Sequence, residues 1–259
     1  MLSRGEFKQL VKLEKDNQIT EEQLSLLEPY KVKRAVFFAA GFGSRLVPLT
    51  LEKPKPLIEV NGVRIIDTLL DAVIELGIEE IIIVRGYLKD QMDELLEKYP
   101  MIKFIDNDDY EKANNISSAF MVRDLFENTI ILESDLILYN PNVLEKYVYN
   151  SFYYGIHTDV SDDWCFKTDD LLIESVHIGE SDVHQMVGIS YWNIEDGKQL
   201  KNDIESFYNS QGGEQRYWDE VTLIDFKDNY SVYVNPISFE DIIEIDTYDE
   251  LKEIDSNYN

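Results

Sequence analysis

The rhythm of apolar and polar positions changes near residue 34. Before it, Phe7, Leu10, Val11 and Leu13 recur as one face of a short amphipathic helix. Thr20-Glu21-Glu22-Gln23 opens a second helix, with Thr20 as cap and Gln23 at the capping-box position. From Arg34 onward, short apolar runs alternate with helical periodicity. Ala35–Ala40, Ile81–Val84, Ile102–Ile105 and Thr129–Leu132 read as buried strands. Between them, Ile65, Ile66, Leu69, Leu70, Val73 and Ile74 recur at helical spacing and Gly77 closes that helix. Leu88–Lys98 and Ile116–Phe126 are further predicted helices. The stretch 150–240 is less regular, with strands predicted at Leu171–His177, Gly188–Trp192 and Ser231–Val234 and a helix at Glu195–Tyr208.

Strands that are apolar throughout and alternate with helices predict an α/β fold, a Rossmann-like and mostly parallel sheet with helices on both faces. Ligands of such sheets bind beyond the carboxyl ends of the strands. The loop after Ala40, the pair Gly86-Tyr87 and Asp135 all fall there. No linker separates two units after residue 34, so the expected organisation is a helical appendage, 1–33, on one domain, 34–259. Packing or a homo-oligomer contact is the expected role of the appendage.

Charge narrows the function. With 24 basic and 51 acidic residues the chain carries −27, a balance that repels nucleic acid and anionic lipid. No apolar run approaches the length of a membrane span. The single cysteine, Cys165, leaves no internal disulfide and no multi-cysteine metal site. These features together predict a soluble, cytoplasmic protein acting on small molecules.

Against that background the segment 34–56 stands out. It holds four basic residues (Arg34, Arg45, Lys53, Lys55) and one acid, Glu52, a local balance of +3. Ala39-Ala40-Gly41-Phe42-Gly43-Ser44-Arg45 follows directly on a strand, where glycines let backbone N–H groups ring an anion. Leu46 stands where a dinucleotide fingerprint has its third glycine, and no Gly-Lys-Ser/Thr follows. Two acids also lie near strand ends, Asp135 and Asp246. All three tryptophans, Trp164, Trp192 and Trp218, fall in the second half beside Tyr191 and Tyr217, and residues 159–184 carry eight acids against one lysine. Ring faces and carboxylates together suit a trimethylammonium head, which has no hydrogen-bond donor. His157, His177 and His184 show no ligand spacing, and Cys165 reads as a packed residue rather than a nucleophile.

Gly41-x-Gly43-x-Arg45-Leu46-x-Pro48-Leu49-Thr50 with Pro54-Lys55-Pro56-Leu57 resembles the signature of nucleotidyltransferases that activate phosphorylated sugars and alcohols. Within that group the chain is most similar to bacterial phosphocholine cytidylyltransferases. The likeness includes Gly86-Tyr87-Leu88-Lys89, Asn114-Asn115 with Ser118, Trp164, Tyr217-Trp218-Asp219 and Glu244-Ile245-Asp246. It implies transfer of CMP from CTP to phosphocholine, giving CDP-choline and pyrophosphate. It also implies one Mg2+ on Asp135 and Asp246. The backbone of Ala39, Ala40, Gly41, Gly43 and Ser44 with Arg45 would hold phosphates, and Lys55 would neutralise charge at the reacting centre. Gly86, Tyr87, Asn115 and Ser118 would frame base and ribose. Trp164, Tyr191, Tyr217 and Trp218 would enclose the choline head, with Asp219 or Glu220 as counter-charge. The family often has aspartate where Glu133 stands, which leaves Asp135 as the expected ligand. Two other readings stay open: a sugar-1-phosphate nucleotidyltransferase using UTP or dTTP, and a silent nucleotide-sensing subunit of the same fold. Sugar-activating relatives carry a Glu-Lys-Pro type contact that is missing between 155 and 190.

Overall fold

A computed structural model describes residues 2–259. In chain order the elements are α1 (Arg4–Lys15), α2 (Glu21–Leu27), β1 (Arg34–Ala39), β2 (Glu59–Val60), β3 (Val63–Arg64), α3 (Ile65–Glu75), β4 (Glu80–Arg85), α4 (Leu95–Lys98), β5 (Lys103–Asp106), α5 (Ile116–Met121), β6 (Thr129–Glu133) and β7 (Leu136–Leu138). The chain continues through β8 (Phe152–Asp169), β9 (Leu172–Trp192), α6 (Ile194–Tyr208), β10 (Tyr233–Ile237), β11 (Ile242–Glu244) and α7 (Tyr248–Ile254). A seven-stranded sheet runs in the order β10-β8-β9-β6-β1-β4-β5. β1 lies between β4 and β6, parallel to both, and β5 extends the parallel part beside β4. β9 joins β6 antiparallel, so the sheet is mixed at that side.

Alternation along each strand divides the core. Phe37, Ile81, Ile83 and Tyr191 point to the face covered by Leu69, Leu70 and Val73 of α3. Phe38, Val84, Tyr153 and Trp192 point to the other face, against Ile116 of α5 and Leu200 and Ile204 of α6. Each large apolar side chain buried this way stabilises the fold by about 1.5–3 kcal/mol relative to exposure.

Local structure departs from the sequence reading in three places. The expected helix Leu88–Lys98 is a 3-10 turn, Lys89–Glu94, followed by the single α-turn of α4. The expected helix Ile116–Phe126 shortens to α5 and resumes as a 3-10 turn, Arg123–Leu125. The largest difference is the long β8–β9 hairpin, of which the sequence pattern predicts only parts of β9. Its outer reach is polar and acidic, so no apolar run marks it, and β8 shifts register between Ser161 and Trp164.

Two smaller contacts tie distant parts of the chain together. β11 pairs antiparallel with β7, Glu244 opposite Leu136, and the Ile245 N–H continues the pairing by donating to the Asp135 carbonyl at 3.0 Å. This brings positions about a hundred residues apart in sequence side by side. At the other end of the chain, α1 and α2 pack Phe7, Leu10 and Leu27 against Tyr30 and Tyr147. Both helices start with a complete capping box, at Ser3 and at Thr20. No described helix is long and apolar enough to cross a membrane.

Candidate active site

The loop after β1 turns at Gly43, whose φ of 66° is left-handed. A Cβ there would stand 3.1 Å from the Thr50 methyl and 3.2 Å from Lys55 Cβ, so both the backbone angle and the crowding favour glycine. The Thr50 hydroxyl donates to the Gly43 carbonyl at 3.0 Å and fastens the turn. Gly86 follows β4 and meets this loop: its Cβ would fall 2.9 Å from the Ala40 carbonyl oxygen and 2.8 Å from the Tyr110 ring. The Tyr87 N–H donates to the same carbonyl at 3.0 Å. Ala39 itself is buried in the core.

Two cavities open at these strand ends. One, of about 180 Å³, is lined by Ala40, Gly41, Asn115, Ser118 and Glu133, with Asn107 and Tyr110. The buried Asn107 amide donates to the Ser117 and Ser118 hydroxyls at 2.9 and 3.1 Å. Gly86 and Tyr87, expected to frame the base, do not line this cavity but pack behind Tyr110, and Phe42 packs edge-on against Tyr87 with centroids 4.5 Å apart.

The second cavity, of about 270 Å³, holds most of the remaining chemistry. Asp135, Glu244 and Asp246 converge on it with one oxygen each, all within 4.8 Å of one another. One Asp135 oxygen, Oδ1, is buried without a hydrogen-bond partner among the described residues. Three carboxylates with an orphaned oxygen fit a hard divalent cation, which prefers oxygen donors. Lys55 Nζ lies 2.9 Å from Asp135 Oδ2 and 3.2 Å from Asp246 Oδ1, and Arg45 donates to Asp246 Oδ1 at 2.7 Å. Burial opposes the charge on Lys55, but Asp135 and Asp246 outweigh it and hold its affinity for the proton above the ordinary lysine range. Burial first, and the Asp135 charge second, push both Glu133 and Glu244 well above the usual carboxylate range.

The far end of the same cavity is aromatic and acidic. Trp164 and Tyr217 face each other at 5.8 Å, inclined at 67°. The register shift in β8 turns Asp163 and Trp164 into the cavity together. Asp219 is buried, accepts from the Tyr153 hydroxyl at 2.8 Å, and is pushed by burial up to about 7.

Several sequence expectations change here. Tyr191 does not reach the cavity: it pairs with Ile130, whereas Ile131 lines the site, so alternation sends Tyr191 to the opposite core, where its hydroxyl donates to Asn128. Glu220 is not free to act as a counter-charge, because its carboxylate accepts from the Arg216 guanidinium and from the Tyr217 N–H. Trp218 touches the cavity but is only 2% exposed, packed edge-on against Phe38 and Trp192. Glu244, Asp163 and Tyr153 join the site beyond the expected residues. Of these, Glu244 carries a sequence signal in Glu244-Ile245-Asp246, since alternate positions of an extended segment share one face. Cys165 is buried with its thiol pushed up by burial, as suits a packed residue.

Comparison with known proteins identifies the family. The sequence profile of the nucleotidyl transferase family matches residues 34–148. A 2-aminoethylphosphonate cytidylyltransferase of Lancefieldella rimae is 36% identical over 231 residues, 86% of this chain and 92% of that protein. A choline-phosphate cytidylyltransferase of Streptococcus pneumoniae is 31% identical over 231 residues, 87% of this chain and all of that one. A solved structure of the CTP:phosphocholine cytidylyltransferase from Streptococcus pneumoniae superposes with a TM-score of 0.79 at 30% identity, covering 87% of this chain and 99% of the other. The chain belongs to the nucleotidyl transferase family and is an enzyme of that type.

Proposed function

We propose that the protein transfers CMP from CTP to phosphocholine, releasing pyrophosphate. The observation that carries this reading is the placement of the Asp135–Glu244–Asp246 cluster, with Lys55 and Arg45, beside both the glycine turn and the aromatic, acid-lined cavity. In this reading the Gly41–Ser44 backbone and Arg45 grip the phosphate tail. The base and ribose lie toward Asn115 and Ser118, in the smaller cavity bounded by Gly41. Trp164 and Tyr217 offer their ring surfaces to the trimethylammonium group, with Asp163 and Asp219 supplying negative charge.

Phosphocholine brings an ionised phosphate, whose second pKa is about 6, so no side chain has to remove a proton. A phosphate oxygen forms its bond to the α-phosphorus of CTP as the bond to the β-phosphate oxygen breaks, and pyrophosphate leaves with the electron pair. What remains is alignment and charge. Lys55 carries its proton throughout and would move from the carboxylates to the reacting phosphates, while Arg45 follows the departing pyrophosphate. Asp135, Glu244 and Asp246 would hold Mg2+, which when bound supplies charge neutralisation on the phosphate oxygens. The same reading keeps residues 1–33 outside the catalytic domain and the enzyme in the cytoplasm.

A second acceptor, 2-aminoethylphosphonate, is favoured by the 36% identical relative. Asp163 and Asp219 beside two accessible rings would also accept hydrogen bonds from a primary ammonium. The test is pyrophosphate release from CTP, UTP and dTTP with phosphocholine, phosphoethanolamine, 2-aminoethylphosphonate and glucose 1-phosphate. CTP with phosphocholine should give the highest kcat/KM. Turnover only with a sugar phosphate and UTP or dTTP would overturn the reading, and a preference for 2-aminoethylphosphonate would replace the acceptor but not the chemistry.

A further inference from the structure

Asn115 and Glu133 line both cavities and form the partition between them. Asn115 sits just before α5, and each end of its amide is used. Its Oδ1 accepts the Trp218 N–H at 2.9 Å, and its Nδ2 donates to Glu133 Oε1 at 3.3 Å. The neighbouring bonds run between the same two segments. The Asn114 N–H donates to the Glu214 carbonyl at 2.8 Å, the Asn114 amide to the Gln215 carbonyl at 3.3 Å, and the Gln215 amide to the Lys112 carbonyl. Residues 112–115, of which 113–115 line the smaller cavity, are thereby fastened to 214–218, of which Tyr217 and Trp218 line the larger one. The Tyr217 backbone is held from the other side, its N–H donating to Glu220, whose carboxylate also accepts from Arg216.

We propose that Asn115 is a positioning residue that couples the two substrate sites: nucleotide seated against Asn115 and Ser118 fixes the Tyr217–Trp218 backbone and so completes the acceptor cavity. This rests on the donor and acceptor cavities proposed above. A ligand that orders a wall shared with a second site lowers the cost of binding there, and the coupling is reciprocal. Gln215 lines neither cavity yet belongs to the same set of bonds, so it separates coupling from direct contact.

The experiment measures phosphocholine and 2-aminoethylphosphonate binding by calorimetry, with and without a CTP analogue carrying a methylene group between the α- and β-phosphorus, alongside steady-state kinetics. In the unaltered enzyme the analogue should tighten acceptor binding about fivefold or more. Asn115→Ala should remove most of that gain and raise the acceptor KM about tenfold, with kcat at saturating acceptor changing less. Gln215→Ala should move the same quantities in the same direction by about two- to threefold, with nucleotide affinity unchanged. Should Asn115→Ala fail to fold, Gln215→Ala alone decides the matter. Variants that raise only the nucleotide KM and leave the acceptor gain intact would overturn the coupling, as would an unaltered enzyme with no gain. An unaltered enzyme that turns over neither acceptor with CTP would instead overturn the proposed function.

Discussion

Replacing Lys55 by methionine should destabilise the metal-free protein and make its melting temperature respond steeply to divalent cations. Lys55 Nζ is 2.9 Å from Asp135 and 3.2 Å from Asp246, and its side chain is only 12% exposed. Methionine keeps much of the stem volume and removes the charge. Three carboxylates with oxygens within 4.8 Å would then face one another, with only the more exposed Arg45 left in compensation. Breaking a buried ion pair from one side costs about 3–5 kcal/mol. Proton uptake relieves part of that, because Glu244 already holds its proton far above the usual carboxylate range. A net loss of about 3 kcal/mol lowers Tm by roughly 10 °C in a chain of this size. Mg2+ or Mn2+ should return most of it, since a cation at a hundred times its Kd contributes about 2.7 kcal/mol. Scanning fluorimetry across a cation titration, at pH 5 and pH 8, reads all of this, and the deficit should be smaller at pH 5, where the carboxylates neutralise themselves. A variant that melts with the wild type at pH 8 and ignores the cation would refute the idea that Lys55 balances this cluster.

The same geometry sets other outcomes. Asp135→Ala should lower kcat by about 10²–10³, the scale of one lost charge-stabilising group, and a normal kcat would remove Asp135 from the reacting centre. Trp164→Ala should weaken acceptor binding by about 1–2 kcal/mol, seen as a KM increase near tenfold with kcat almost unchanged. Trp218→Ala should instead cost about 3–5 kcal/mol of stability, because its ring is core, and a normal melting curve would contradict that placement. Asp219 binds its proton more tightly folded than unfolded, so its contribution to stability is present at acid pH and lost as pH rises through about 7. Asp219→Asn should therefore match wild type near pH 4 and exceed it at pH 8, by an amount approaching about 4 kcal/mol; equal pH profiles of Tm would refute the shift.

The strand–loop–helix alternation was legible because the parallel strands are buried on both faces and leave continuous apolar runs. The glycine turn was legible for a different reason: Gly43 sits at a positive φ and close against Lys55, a place that favours glycine. The outer part of β8 was hidden, since Asp159, Asp162 and Asp163 follow no apolar rhythm and the pairing there is broken by a register shift. Tyr191 and Trp192 show a subtler limit. Adjacent strand residues must point to opposite faces, but which face holds the site depends on the pairing with β6, which sequence spacing does not state. Glu220 illustrates another, because a charge four residues after Arg216 is as easily a brace as a binding group. The pairing of Asp135 with Asp246 came from the family resemblance, and no spacing rule joins residues so distant.

The narrow ribbon of β7 and β11 has a bearing on biosynthesis. Asp246 joins Asp135 only once β11 has docked, which requires synthesis to pass residue 246. A nascent fragment can complete the central sheet through β10 and still lack the three-carboxylate cluster. On the proposed function, termination upstream of β11 should therefore yield an inert product rather than a partly competent one.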